Sequence, residues 1–374
     1  MSPAQRDITM PTLRFALLFL ASLIAAPALA LDLKPVTVAR GLQHPWGLAF
    51  LPDGRLLVTE RPGRMRIVAR DGSLGAPLAG LPPVDARNQG GLLDVSLHPA
   101  FATNRLVYWT YAEPGDKGNS TAVARGRLDG DRLSDVQVIF RQAPKFESTL
   151  HFGSRLVWAR DGRLFVGLGE RGWRKDDAQT LNNHHGKIIR IEDDGRVPSD
   201  NPYVSQPGAL PEIWSIGHRN IQGAALHPVT GELWATDHGP QGGDELNRVV
   251  RGGNHGWPLI THGRNYGTGT VIGEGTERAD IVPSLKHWVP VSIAPSGMAF
   301  LTSDRYPGWK GNLFIGAMRG MALIRLELDG NQVKSEEKLL TLMNVRVRDV
   351  RQGPDGWLYV VTDSADAQIL RLER

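Results

Sequence analysis

Cysteine is absent from the 374 residues. That excludes disulfides, thiolate nucleophiles and thiolate metal ligands, so packing and topology must supply the stability. Lys and Arg nowhere form a dense block, and the net charge is only +4, which excludes a nucleic-acid-binding surface. No apolar run is long enough for a stable membrane span; the longest, 15–26, falls short of the twenty or so residues that a bilayer needs. Also missing are a Ser–His–Asp order, zinc-ligand spacing, a P-loop and a dinucleotide fingerprint, so nicotinamide chemistry on a Rossmann fold has no support. What the chain has in quantity is Gly (43), Pro (25) and 10 Trp, a composition that favours many short strands and turns over long helices.

The first thirty residues read as a leader. Arg6 and Arg14 precede the apolar run, which ends at Ala28-Leu29-Ala30, the pattern of a secretory signal peptide. Translation starts at Met1 or at Met10, just before the run, and the lack of an Arg-Arg pair fits the general export route. The expected location is the periplasm or the medium, with residues 31–374 as a single domain.

A pattern then recurs six times. A short apolar strand enters a turn, and a second strand rich in Leu, Val, Phe and Tyr leaves it. The copies are WGLAFLPDGRLLVTE (46–60), DVSLHPAFATNRLVYWTYA (94–112), SRLVWARDGRLFVGLGE (154–170), QGAALHPVTGELWATDHG (222–239), SGMAFLTSDRYPGWKGNLFIGA (296–317) and RDVRQGPDGWLYVVTD (348–363). Asp-Gly and related pairs before β-rich runs are strong hairpin signals. Six hairpins at blade spacing, with insertions of uneven length, predict an all-β fold, a six-bladed β-propeller. Third strands are expected at 64–68, 122–126, 186–191, 322–326 and 368–372. The early segment Val36-Thr37-Val38 would pair with the C-terminal strands and close the ring.

Innermost strands of a propeller line its channel, and their entry loops gather at one mouth. Just upstream of the six inner strands lie His44, Arg87 to Gly91, His151, His218-Arg219-Asn220, Ser296 and Arg346 to Arg348. His151 is the candidate base, since imidazole takes a proton near neutral pH, although a lone His is more often structural. Glu170 ends the second strand of the same hairpin and would return beside it; its alternative is an ion pair with Arg171 or Arg174. Arg219, Arg319, Arg346 and Arg348, converging without acids, would suit a polyanion. Gly239, Pro240 and the Asp244-Glu245 pair offer oxygens to a hard cation such as calcium, though without EF-hand spacing. Tyr266 could stack on a flat ligand or be buried in the core.

The motifs HPWGLAFLPDGRLLVTERPGR, NQGGLLDVSLHP, HFGSRLVW, IWSIGHRNIQG, HGPQGGDELN, PSGMAF and VRDVRQGPDGWLYV stand in this order between about Val36 and the C-terminus. The chain thereby resembles the soluble aldose sugar dehydrogenases that depend on pyrroloquinoline quinone (PQQ), a family with a six-bladed propeller. The resemblance implies oxidation of an aldose at C1 to a lactone, with His151 as general base, Glu170 as its partner and Arg219 beside the reacting carbonyl. It implies PQQ contacts at Gln89, Arg219, Asn220, Tyr266, Arg319, Arg346 and Arg348, with Arg319 standing where some members have Lys. One calcium beside PQQ would use the carbonyls of Gly239 and Pro240; a second, structural calcium would use Glu245 and the carbonyl of His255. Substrate-facing loops fall at 112–120, 171–183 and 260–280, and electrons would leave to an unidentified acceptor. A calcium-dependent propeller lactonase and a non-enzymatic glycan- or partner-binding propeller are the competing expectations.

Overall fold

The structure, a computed structural model, describes residues 33–374; the signal peptide expected at 1–30 and its alternative starts lie outside them. Six four-stranded antiparallel sheets follow one another along the chain. Their first strands, Pro45–Phe50, Leu92–Leu97, Gly153–Trp158, Ile221–Leu226, Pro295–Phe300 and Val347–Gln352, each pack against the next and the last against the first. They are the inner strands of blades one to six, and the repeat read from the sequence is the blade hairpin. Among the described residues, helix is limited to the short turns Phe101–Asn104, Lys175–Gln179 and Thr341–Met343.

Blade six closes the ring. Its inner three strands, Val347–Gln352, Leu358–Thr362 and Ala367–Glu373, come from the C-terminus, and its outer strand, Lys34–Leu42, from the start of the domain. Thr37 pairs with Leu370, so the expected 36–38 segment does complete the blade. All five anticipated third strands are present. Blade four departs from expectation: the acidic stretch, where no strand was expected, contains its third strand, Asp244–Arg248. The 112–120 segment is likewise largely a hairpin, with Gly115 opposite Gly118. Outer strands such as Ile213–Ser215, Lys286–Trp288 and the charged Gln332–Leu339 carried no alternation strong enough to be read.

Apolar residues fill the spaces between blades. Trp109 is sealed in a cluster with Leu57, Met65, Val95 and Leu133, and Trp234 in another with Met298, Ile315 and Ile324. Near the axis the inner strands approach closely, which explains a recurrent glycine. A Cβ on Gly223 would lie 2.1 Å from the Ser296 carbonyl, and one on Gly297 would lie 1.8 Å from Asp349 Oδ1. Only glycine admits neighbours at these distances. Below the mouth, Asp94, Arg155, Asp349 and Arg351 cross the channel as a buried ionic brace.

Candidate active site

His151 and Glu170 sit at either end of the blade-three hairpin. Gly153 pairs with Leu168, so the residues just outside that register meet at the mouth. His151 Nδ1 lies 2.6 Å from Glu170 Oε2. The same oxygen accepts the Gly172 N–H at 2.6 Å. Burial alone would raise the Glu170 pKa, but His151, Arg219 and the Gly172 N–H outweigh it and hold the carboxyl below its ordinary value. An ionised carboxylate only accepts, so Nδ1 is the protonated nitrogen and Nε2 carries the lone pair. Nε2 has no partner among the described residues. Burial, followed by the Arg219 charge, keeps the imidazole pKa below its usual value despite Glu170, so the ring is neutral near pH 7. His151 adopts φ 49°, a left-handed backbone that costs energy for a side chain of this size. Its N–H donates to Gln89 Oε1 at 2.9 Å, which helps to fix that conformation.

Glu170 does not pair with Arg171 or Arg174. Arg171 turns inward to the Leu150 and Ser148 carbonyls and to Asn119, and Arg174 pairs with Asp177.

Asp237, which the sequence reading passed over, joins the neighbouring pieces. It ends the second strand of blade four, Leu233–Asp237, and accepts the backbone N–H of Arg219 (2.8 Å) and of Asn220 (2.6 Å). Asn220 Oδ1 in turn accepts the Gly153 N–H at 2.9 Å, and the Arg219 carbonyl accepts the Glu170 N–H at 3.0 Å. Blades three and four are thus tied at the base of the dyad. The Arg219 guanidinium donates to the carbonyls of His238 (3.1 Å) and Gly239 (2.8 Å) and lies over the Trp257 ring. Its Nε is buried without a partner.

Asp244 and Glu245 do not face one common site. They alternate on a strand, so their side chains leave opposite faces. Asp244 is committed to the Gly239 N–H, Ser292 Oγ and the Ala294 N–H. Glu245 instead lines a cavity of about 550 Å³ with His255, His262 and His287. Among the described residues its carboxylate has one hydrogen-bond donor, Asn247, at 3.1 Å. Burial, reinforced by Asp237, pushes its carboxyl up to about 8. The carbonyls of Pro240 and His255 accept no hydrogen bond from the described residues.

The arginines also differ from expectation. Asp363 lies among them, 3.1 Å from Arg348 and 3.6 Å from Arg346, and it also meets His44 at 2.9 Å. The cause is the hairpin return that joins Glu170 to His151: Val347 pairs with Thr362, so the next residue comes back to the mouth. Despite burial, these cations hold Asp363 down to about 2. Arg348 is buried and donates to Gln222 Oε1 at 2.8 Å, with its Nε unpartnered. Arg346 is half exposed, and Arg319 is exposed with no side-chain partner among the described residues. Tyr266 is 64% exposed, which removes the buried-core alternative.

This mouth sets a neutral imidazole, whose Nε2 has no partner within the described residues, among cationic and amide donors. The chain belongs to the Glucose / Sorbosone dehydrogenase family, whose description matches residues 42–371, and so stands among the oxidoreductases that act on sugars. It is similar to Aldose sugar dehydrogenase YliI of Escherichia coli, 45% identical, over 88% of this chain and 90% of that protein. A crystal structure of the soluble aldose sugar dehydrogenase of Escherichia coli in the apo-form superposes with a TM-score of 0.88, at 43% identity, covering 91% of this chain and 99% of that one. The PQQ-bound form of an aldose sugar dehydrogenase from Streptomyces coelicolor superposes with a TM-score of 0.74, at 29% identity, over 91% of this chain and 98% of that one.

Proposed function

We propose that the chain oxidises aldose sugars at C1 to the lactone, with PQQ as cofactor and calcium bound at the mouth. The observation that carries the reading is the His151–Glu170 dyad, whose free Nε2 faces a setting of unspent donors. The amide oxygens of Gln89 and Asn220 are used internally, which leaves their N–H ends to donate. Arg219 and Arg348 each keep a buried, unpartnered Nε, and Arg319 is free of side-chain partners among the described residues. Such a donor set fits a planar tricarboxylate. Gln89, Arg219, Asn220, Tyr266, Arg319, Arg346 and Arg348 would hold it. When bound, the quinone would supply a two-electron acceptor for the hydride leaving C1.

His151 Nε2 would take the C1 hydroxyl proton as the carbonyl forms. Glu170 holds the ring through Nδ1 and stabilises the imidazolium that results. Arg219, next to the dyad, would supply positive charge where the acceptor becomes negative. The electrons would pass to an acceptor of unidentified nature. A lactonase of calcium type would need free carboxylates in the channel, but Asp94 and Asp349 there are paired with Arg155 and Arg351. Export through a signal peptide at 1–30 and a periplasmic or secreted location belong to the same proposal. No helix among the described residues is long and apolar enough to cross a membrane.

Reconstitution tests the reading. Apo protein mixed with PQQ and calcium should reduce a dye acceptor in the presence of aldoses; failure to bind the quinone and to turn over any aldose would sink it.

Calcium is tested separately at Glu245. The Gly239 and Pro240 carbonyls would serve the ion beside PQQ, whereas Glu245 and the His255 carbonyl would serve a structural ion. Without metal, a carboxyl at about 8 in the folded state and 4.5 unfolded gives stability that is lost as pH rises between those values. Calcium should reverse that loss, adding about 2.7 kcal/mol at a hundredfold excess over its Kd. Glu245→Gln should flatten the pH dependence and abolish most of the calcium-induced rise in melting temperature. An unchanged calcium response would move the ion elsewhere.

A further inference from the structure

The segment after the dyad is clamped on both sides of one exposed aromatic residue. Arg171 is fully buried in a left-handed conformation (φ 65°), and its guanidinium lies 3.6 Å from the Phe152 ring centroid while donating to three groups around Ser148. Gly172 is fixed by its N–H to Glu170 Oε2 at 2.6 Å. On the far side, Arg174 is held by Asp177 at 2.7 Å and lies over the Phe146 ring. Asp177 is itself bound by His185 at 2.7 Å, and its carbonyl by Lys187 at 2.7 Å. Between these anchors Trp173 is 78% exposed. The backbone N–H of Trp173 donates to the Arg171 carbonyl at 3.0 Å, so its main chain is ordered too.

We propose that Trp173 is the platform against which the sugar ring packs, a specificity-determining residue for the dehydrogenase reaction, and so the inference rests on that reading. It directly follows the glycine whose N–H caps Glu170, so it stands on the segment that leaves the dyad at the channel mouth. An indole exposed on a rigid base loses little conformational freedom on binding, the condition under which stacking adds to affinity. The C–H face of a pyranose offers the apolar surface that an indole face takes up.

The test compares wild type, Trp173→Ala and Trp173→Phe, each reconstituted with PQQ and calcium. Trp173→Ala should raise KM for a monosaccharide about three- to tenfold, with kcat changed less than about twofold. Quinone binding by apo protein, followed by absorbance titration, and the melting temperature should stay at wild-type values. Trp173→Phe should recover most of the loss. An unchanged KM in Trp173→Ala overturns the platform, as does an equal loss of quinone affinity, which would place the indole on the cofactor instead. Wild type that binds no quinone and turns over no aldose overturns the functional reading itself, and this one with it.

Discussion

His151→Ala should bind PQQ with nearly unchanged affinity and lose about 10²–10⁴-fold in kcat. The ring is the only group of the dyad with a free acceptor nitrogen, and the alanine leaves the Gln89 contact to the backbone N–H in place. Single-turnover reduction of the bound quinone, read by absorbance after mixing with an aldose, measures the loss at the chemical step. Turnover within a few-fold of wild type would remove His151 as the base. Glu170→Gln gives a second readout. On the proposed reading the neutral imidazole is the active form, so kcat/KM should fall as pH drops through the His151 pKa, below its ordinary 6.5. Losing the carboxylate removes the one partner that raises that pKa, so the acid limb should move to lower pH while the plateau falls. An acid limb that moves upward would show that Glu170 does not stabilise the protonated ring.

The hairpins were legible because their signals are local: turn pairs such as Asp-Gly set between two β-rich runs. Closure by Lys34–Leu42 was legible because an unpaired strand at one end matched a blade lacking a fourth strand at the other. The dyad followed from hairpin geometry alone. The same geometry could have found Asp237 and Asp363, for the repeats end in VTE, GLGE, ATD and VVTD, and four blades return an acid to the mouth. Glu60 is the first of them, accepting the Gln43 N–H at 2.6 Å. Asp244 and Glu245 stand side by side in the sequence, and a stretch crowded with glycine and charge carries no strand signal. The alternation that separates Asp244 from Glu245 appears only once the pairing with Leu233–Asp237 is known. The brace below the mouth was beyond reach: Asp94 and Arg351 are 257 residues apart, and nothing local marks them as partners.

That brace carries the largest stability effect expected in the fold. Asp94 is fully buried and accepts from Arg155 (2.9 Å), Arg351 (2.9 Å) and the Leu156 N–H (2.8 Å). Asp349 shares both arginines, and Arg155 Nε donates to the Gln222 carbonyl at 2.9 Å while its guanidinium lies over Trp46. Residues from blades one, two, three, four and six therefore meet at one point. Asp94→Ala leaves the buried Arg155 and the partly exposed Arg351 to a single carboxylate, and loss of one partner of a buried pair such as Asp94–Arg155 costs about 3–5 kcal/mol. Urea unfolding should show a lower midpoint with the same slope, since the surface exposed on unfolding is unchanged. Asp94→Ala combined with Arg351→Met removes one charge of each sign and should be less destabilising than the sum of the two single variants, by about 0.5–3 kcal/mol. Strict additivity would mean that the channel charges are solvated independently and do not brace the blades. The Gln222 side chain accepts from Arg348, so a loosened brace should also weaken quinone binding while the acid limb set by His151 and Glu170 stays where it is.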